Sequence, residues 1–71
     1  MSKLKKHIDI LFSEAQEHHH ARRFAEAKKI YTQILEVIPE HPDVLNLLGT
    51  VLAQSGKSKE AVGYLHRAVN L

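Results

Sequence analysis

The sequence predicts an all-α fold of four helices, arranged as two antiparallel hairpins that stack into an α-α superhelix. Apolar residues recur at helical spacing throughout, and almost no segment alternates with the period of two expected of a half-buried strand. Short turns with glycine or proline separate the helical segments, so consecutive helices should be antiparallel neighbours. The whole pattern also repeats with a period of 34 residues.

The first hairpin is predicted from two apolar stripes. Helix one should span residues 3–20, with Ser2 as a possible N-cap. Helix two should span residues 24–37, because Pro39 disfavours helical geometry at the residue before it. The two stripes are Leu4, Ile8, Leu11 and Ala15, followed by Phe24, Ala27, Ile30, Tyr31, Ile34, Leu35 and Ile38.

The second hairpin is predicted from its turn residues. Pro42 suits the first position of a third helix, where its missing N–H does no harm, and this helix should reach about residue 54. Gly56 can adopt the left-handed conformation that ends a helix. Ser58 can then cap a fourth helix that runs to the last residues.

The 34-residue repeat explains a glycine in the middle of a predicted helix. Such a glycine costs about 1 kcal/mol relative to alanine, so Gly49 indicates close approach by a neighbour. The repeat superposes Gly49 on Ala15, which is also small. Identical residues also superpose, among them Asp9 with Asp43, Leu11 with Leu45, Glu26 with Glu60 and Ala27 with Ala61.

The second repeat resembles the tetratricopeptide repeat family. Its pattern is Leu45-x2-Leu48-Gly49-x2-Leu52, then Gly56, then Ala61-x3-Leu65. The resemblance implies one domain over residues 1–71, with repeat one over about 8–41 and a truncated repeat two over 42–71. Repeat one fits more loosely: Glu14, His18 and Arg22 replace the expected leucine, tyrosine and glycine. It is therefore interpreted as a capping repeat, whose outer face meets no earlier repeat.

The resemblance implies a scaffold that binds a peptide or partner protein on a concave face lined by the first helix of each pair. The residues expected to contact the partner are Phe12, Gln16, His19, Asn46 and Thr50. One subclass of the family clamps a C-terminal carboxylate with a lysine and two asparagines. Phe12, Gln16 and Leu47 occupy those places here, so the clamp is not expected.

The C-terminal end of the second repeat is expected to leave an apolar face uncovered. The residues expected there are Tyr64, Leu65, Ala68, Val69 and Leu71. Burying a leucine-sized side chain contributes roughly 1.5–3 kcal/mol, so self-association into a homo-oligomer is expected. The alternative is that the chain is the N-terminal fragment of a larger, bacterial protein. It would then be a regulatory or substrate-recruiting arm of an enzyme such as a glycosyltransferase or sulfotransferase.

Other classes of function find no support in the residues. The chain has no cysteine, GxSxG, glycine-rich phosphate loop or HExxH motif, so neither catalysis nor a cofactor is expected. The run His18–His20 invites a metal hypothesis, but successive helical residues point about 100° apart, which favours polar surface instead. Lys3, Lys5 and Lys6 are too few to predict nucleic-acid binding. With no membrane span or signal peptide expected, the location predicted is cytoplasmic.

Overall fold

A computed structural model describes residues 2–70 of the chain and has four α-helices. They are α1 (Ser2–His20), α2 (Phe24–Val37), α3 (Pro42–Gln54) and α4 (Ser58–Val69). The helical pattern predicted these bounds to within a residue or two, and no strand occurs in the described part of the chain. The all-α prediction is therefore confirmed.

The helices form two hairpins joined side by side. Contact is most extensive between α3 and α4 and between α1 and α2, while α2 packs on α3 to connect the two hairpins. Since each helix makes its main contacts with its neighbours along the chain, the arrangement is an open stack of the superhelical kind. The predicted superhelix is confirmed on this point.

Helix α3 lies at the centre of the core because α2 covers one side of it and α4 the other. Six of its thirteen residues are buried, including Leu45, Leu48 and Leu52. By contrast, Ala61 is the one buried residue of α4. The repeats are therefore unequal in burial: the inner helices provide most of the core, and α4 is covered on one side.

Tyr31 is the largest fully buried side chain. Its ring lies 6.4 Å from the rings of Phe12 and His19, so it attaches α2 to two points of α1. Its hydroxyl is buried without a hydrogen-bond partner among residues 2–70. Burial raises the pKa of this hydroxyl above its usual value, so the tyrosine stays neutral.

The two hairpin turns have the same backbone geometry. Gly56 is left-handed as predicted, with φ of 84°, and Arg22 occupies the equivalent position of the first turn with φ of 62°. In each turn the next residue closes the helix end: Lys57 N–H donates to Leu52 O and Arg23 N–H to His18 O, both at 2.8 Å. This is the Schellman motif, and its left-handed position favours glycine. Arginine there costs on the order of 1 kcal/mol.

Helix capping differs from the prediction at three places. Lys57 is the N-cap of α4, without a side-chain bond, and Ser58 is the first helical residue. The last residue of the Schellman turn, Lys57, is also the residue that precedes α4. The first hydrogen bond of α4 therefore runs from Ala61 N–H to Lys57 O. Ser2 likewise lies inside α1. The side-chain cap of α3 is His41, whose Nδ1 accepts from Val44 N–H at 3.3 Å.

The small residues lie where helices of one hairpin touch. A Cβ atom added to Gly49 would lie 2.6 Å from Cγ and Cδ2 of Leu65 and 3.3 Å from the carbonyl oxygen of Ala61. Ala15, at the equivalent position of α1, is fully buried. The close approach predicted at Gly49 is therefore present, and its neighbour is α4.

Candidate interaction site

One depression on the surface lies between the first helices of the two hairpins, and we call it the central groove. Its volume is about 370 Å³. The residues that line it are Gln16, His19, His20, Arg22, Phe24, Leu47 and Gln54. Helices α1 and α3 therefore form its walls, and the turn after α1 closes one end.

The turn between α1 and α2 positions two of the lining residues. Because Arg22 is left-handed, the chain reverses within three residues and Phe24 begins α2 beside the end of α1. The guanidinium of Arg22 lies 5.3 Å from the centre of the Phe24 ring, which is the geometry of a cation–π contact. A cation and an apolar ring are thus held together at the end of the groove.

His19 connects the two walls of the central groove. Its Nε2 donates to Gln54 Oε1 at 2.8 Å, which joins α1 to the end of α3. Its ring also contacts Phe24 edge-on at 6.1 Å between ring centres. The first interaction joins the two repeats, and the second crosses the turn between α1 and α2. His19 therefore stabilises the shape of the groove, and its side chain remains partly accessible.

The structure brings together two of the five residues expected to contact a partner. Gln16 and His19 line the central groove. Phe12 is half-buried and stacks on the His41 ring, with 6.0 Å between ring centres. Asn46 is exposed on α3, and the Thr50 hydroxyl donates to its carbonyl oxygen at 2.9 Å. Phe12 thus packs against the N-terminus of α3, outside the groove lining.

Sequence reasoning missed Arg22 and Phe24 as groove residues. The helical pattern places Phe24 in the apolar stripe of α2, and Arg22 replaces the glycine that the repeat pattern expects. That substitution was the available signal, since glycine would place no side chain at this turn whereas arginine places one in the groove lining. The turn is therefore part of the candidate site.

A second, smaller depression, which we call the lateral groove, adjoins the central groove. Its volume is about 220 Å³, and its lining residues are Phe24, Ala25, Lys28, Ser55 and Lys57. Phe24 lines both grooves. The two depressions therefore meet at Phe24, and together their linings include residues of both hairpin turns.

The comparison with protein families identifies the fold. The family described as "Tetratricopeptide repeat" matches residues 18–70. The chain belongs to the tetratricopeptide repeat (TPR) family. TPR repeats are in general protein–protein interaction modules, and the TPR fold is a non-catalytic one. The family match includes every lining residue of the central groove except Gln16, and it begins inside α1, where the fit to the repeat pattern is looser.

One curated relative of this TPR chain is protein arginine N-methyltransferase 9 of Mus musculus. The two are 38% identical over 61 residues, which represent 86% of this chain and 7% of the relative. This TPR chain therefore spans a small part of that relative's length. No solved structure matches it significantly.

The C-terminal face of the TPR chain is more closed than expected. Tyr64 packs against the core beneath the guanidinium of Arg67, and Leu65 is half-buried against Gly49. Ala68 is half-buried, whereas Val69 is 83% exposed. Leu71 lies outside the described residues. Val62, which the expectation had not included, is a further exposed apolar residue at 65%.

Two of the three histidines in the run His18–His20 of the TPR chain form side-chain hydrogen bonds. Arg23 Nε donates to His18 Nδ1 at 2.8 Å, and His19 is bonded to Gln54 as described above. Within residues 2–70 no group of three histidines and carboxylates is placed to hold a metal ion. Nor is any helix of this described part long and apolar enough to cross a membrane.

Proposed function

We propose that this TPR chain is a non-catalytic interaction module that binds a peptide of a partner protein in the central groove. The supporting observation is the groove itself, whose lining combines polar and apolar side chains. The amides of Gln16 and Gln54 can bond both N–H and C=O groups of a peptide backbone. Leu47 and Phe24 offer apolar contact to its side chains. The proposal needs no cofactor and no nucleic acid.

A selection from a random peptide library displayed on phage, followed by calorimetry of the selected peptide, tests this proposal. Gln16→Ala should weaken binding roughly three- to tenfold, the effect of losing one or two hydrogen bonds. Gln33→Ala is the matched control, because Gln33 is an exposed glutamine on α2 outside the groove. If Gln33→Ala weakened binding and Gln16→Ala did not, the peptide would bind outside the central groove. A ligand that also extends along α3 would in addition respond to Asn46→Ala, whereas Thr50 and Phe12 would contribute indirectly.

We also propose that the chain self-associates through the outer face of α4. The internal repeat supports this, because it superposes Ala68 and Val69 on Ile34 and Leu35 of α2. Ile34 is fully buried and Leu35 half-buried on α2, which packs against both α1 and α3. On α4 the equivalent Val69 is 83% exposed. A second copy of the chain, bringing its own α4, would cover this face.

Light scattering on the purified chain measures this association. At about 50 µM the parent should have the mass of a dimer or larger, and Val69→Lys should shift it to monomer because lysine cannot be buried there without a partner. Ile10→Lys is the control, since Ile10 is 50% exposed but lies on α1. A monomeric parent, or equal effects of the two lysines, would disprove association through α4.

A second candidate function is that of an accessory arm in a larger enzyme. The relative named as a methyltransferase supports it, because the similar region is 7% of that protein. The sequence alone suggested a glycosyltransferase or a sulfotransferase. The relative is named a methyltransferase, so the enzyme in this proposal is a methyltransferase. Sequencing the transcript beyond the Leu71 codon discriminates the candidates. A frame that continues into a catalytic domain favours the arm, and a stop codon there rules it out.

A further inference from the structure

The path formed by the central and lateral grooves is positively charged. Arg22 lines the central groove, and Lys28 and Lys57 line the lateral groove. Neither lining includes an aspartate or a glutamate. A ligand that follows the path across both turns therefore meets three cationic side chains, and the one carboxylate paired with them in the described part of the chain is that of Glu60, 4.0 Å from Lys28 Nζ.

These cations are largely available to a ligand. The one ion pair formed within residues 2–70 joins Lys28 to Glu60 at 4.0 Å, and both of these side chains are well exposed. Arg22 and Lys57 are exposed and belong to no ion pair in this part of the chain. The guanidinium of Arg22 is held over the Phe24 ring, which limits its freedom but leaves its N–H donors accessible.

We propose that the two grooves together bind an extended acidic segment of the partner protein. Its carboxylates pair with Arg22 and Lys57, and its apolar side chains contact Phe24 and Leu47. The proposal rests on the peptide-binding function proposed above and specifies the chemistry of the peptide. The cations lie at the hairpin turns, so binding uses side-chain carboxylates along the segment and does not need a free C-terminus.

The aromatic ring in the path favours a peptide over a single-stranded nucleic acid. Nucleic acids of this kind bind by stacking bases on exposed aromatic faces within a basic groove. Here one face of the Phe24 ring is already covered by the Arg22 guanidinium. The remaining surface of the central groove combines an apolar leucine with amide groups, which suits a peptide.

Fluorescence anisotropy with three labelled peptides tests the proposal. The peptides are ELEELE, QLQQLQ and KLKKLK, each amidated at the C-terminus so that no terminal carboxylate contributes. In about 20 mM salt ELEELE should bind roughly tenfold more tightly than QLQQLQ, and in about 300 mM salt the difference should fall to about threefold or less. KLKKLK should bind more weakly than both.

Charge-removing variants locate the effect. Arg22→Gly suits the left-handed backbone and Lys57→Gln keeps the side-chain length, so neither should unfold the chain. Each should weaken ELEELE about three- to fivefold and leave QLQQLQ nearly unchanged. Lys29→Gln is the control, because it removes the same charge from an exposed position of α2 outside both grooves. An equal loss with Lys29→Gln would show a non-specific effect of net charge and would overturn the proposal.

The failures of the two proposals can be told apart. If QLQQLQ or KLKKLK binds as tightly as ELEELE, the acidic preference is wrong and peptide binding stands. If ELEELE does not bind although a library-selected peptide does, the acidic preference is again wrong. If neither binds, both proposals fail. Tighter, Arg22-dependent binding of a labelled oligothymidylate than of ELEELE would assign the path to nucleic acid and overturn the inference.

Discussion

Replacing Gly49 with alanine should lower the free energy of unfolding by about 1–2 kcal/mol, although alanine is normally the better helix former. The new Cβ would lie 2.6 Å from both Cγ and Cδ2 of Leu65. Leu65 must then rotate away or α4 must shift, and the carbonyl oxygen of Ala61, 3.3 Å from the Cβ, restricts that shift. We expect this cost to exceed the gain in helix propensity. Urea denaturation followed by circular dichroism measures the change.

The chain offers a matched control for this substitution. Gly63 is also helical, it is exposed on α4, and a Cβ added there would meet nothing within 4 Å. Gly63→Ala should therefore raise the free energy of unfolding by about 0.5–1 kcal/mol. In addition, Gly49→Ala should cost much less in a background with Leu65→Ala, because the clashing atoms are then absent. If the two glycine substitutions change stability in the same direction, the close contact between α3 and α4 is wrong.

Replacing Ala61 with leucine should lower the free energy of unfolding by about 1–3 kcal/mol. Ala61 is 2% exposed and faces α3, and its carbonyl oxygen lies near the backbone of Gly49. Three additional carbon atoms cannot fit there unless the hairpin opens. A domain of this size has a total stability of only about 4–10 kcal/mol, so the loss would be a large fraction of it. Thermal unfolding should show a decrease of roughly 4–8 °C for each kcal/mol lost.

The adjacent residue provides the control. Val62 lies on the same helix and is 65% exposed, so Val62→Leu also enlarges an apolar side chain but does so in solvent. Its effect should stay within about 0.5 kcal/mol. An Ala61→Leu variant that melts like the parent would show that the assigned register of α4 against α3 is wrong.

The local elements of the fold were predictable because local physics controls them. The spacing of apolar residues determines which segments form amphipathic helices. Pro42 and Gly56 act through their own backbone preferences, and the structure has both in the predicted roles. The predicted N-cap of α4 was wrong, because the first residue of α4 depends on how many residues the Schellman turn contains. The His41 cap was missed because histidine is an uncommon N-cap.

The candidate site was less predictable than the fold. Gln16 and His19 could be placed on the concave side from helical periodicity alone. Phe12 has the same periodicity, yet it stacks on His41, a residue 29 positions away in the chain. The direction of Arg22 depends on a left-handed turn that the residue type does not favour. Contacts between distant residues and strained turns are not encoded in a periodic pattern.

For this protein, the order of apolar, small and turn-forming residues was enough to specify the number of helices, their ends and the 34-residue repeat. The number of helices and their ends depend on interactions between residues a few positions apart, and the repeat can be read directly from the sequence. Three features depend on the packing of helices against one another. They are the contact of Leu65 with Gly49, the hydrogen bond from His19 to Gln54, and the meeting of the two grooves at Phe24. Packing selects one among several side-chain arrangements that the same pattern allows, and it does so through contacts between residues far apart in sequence.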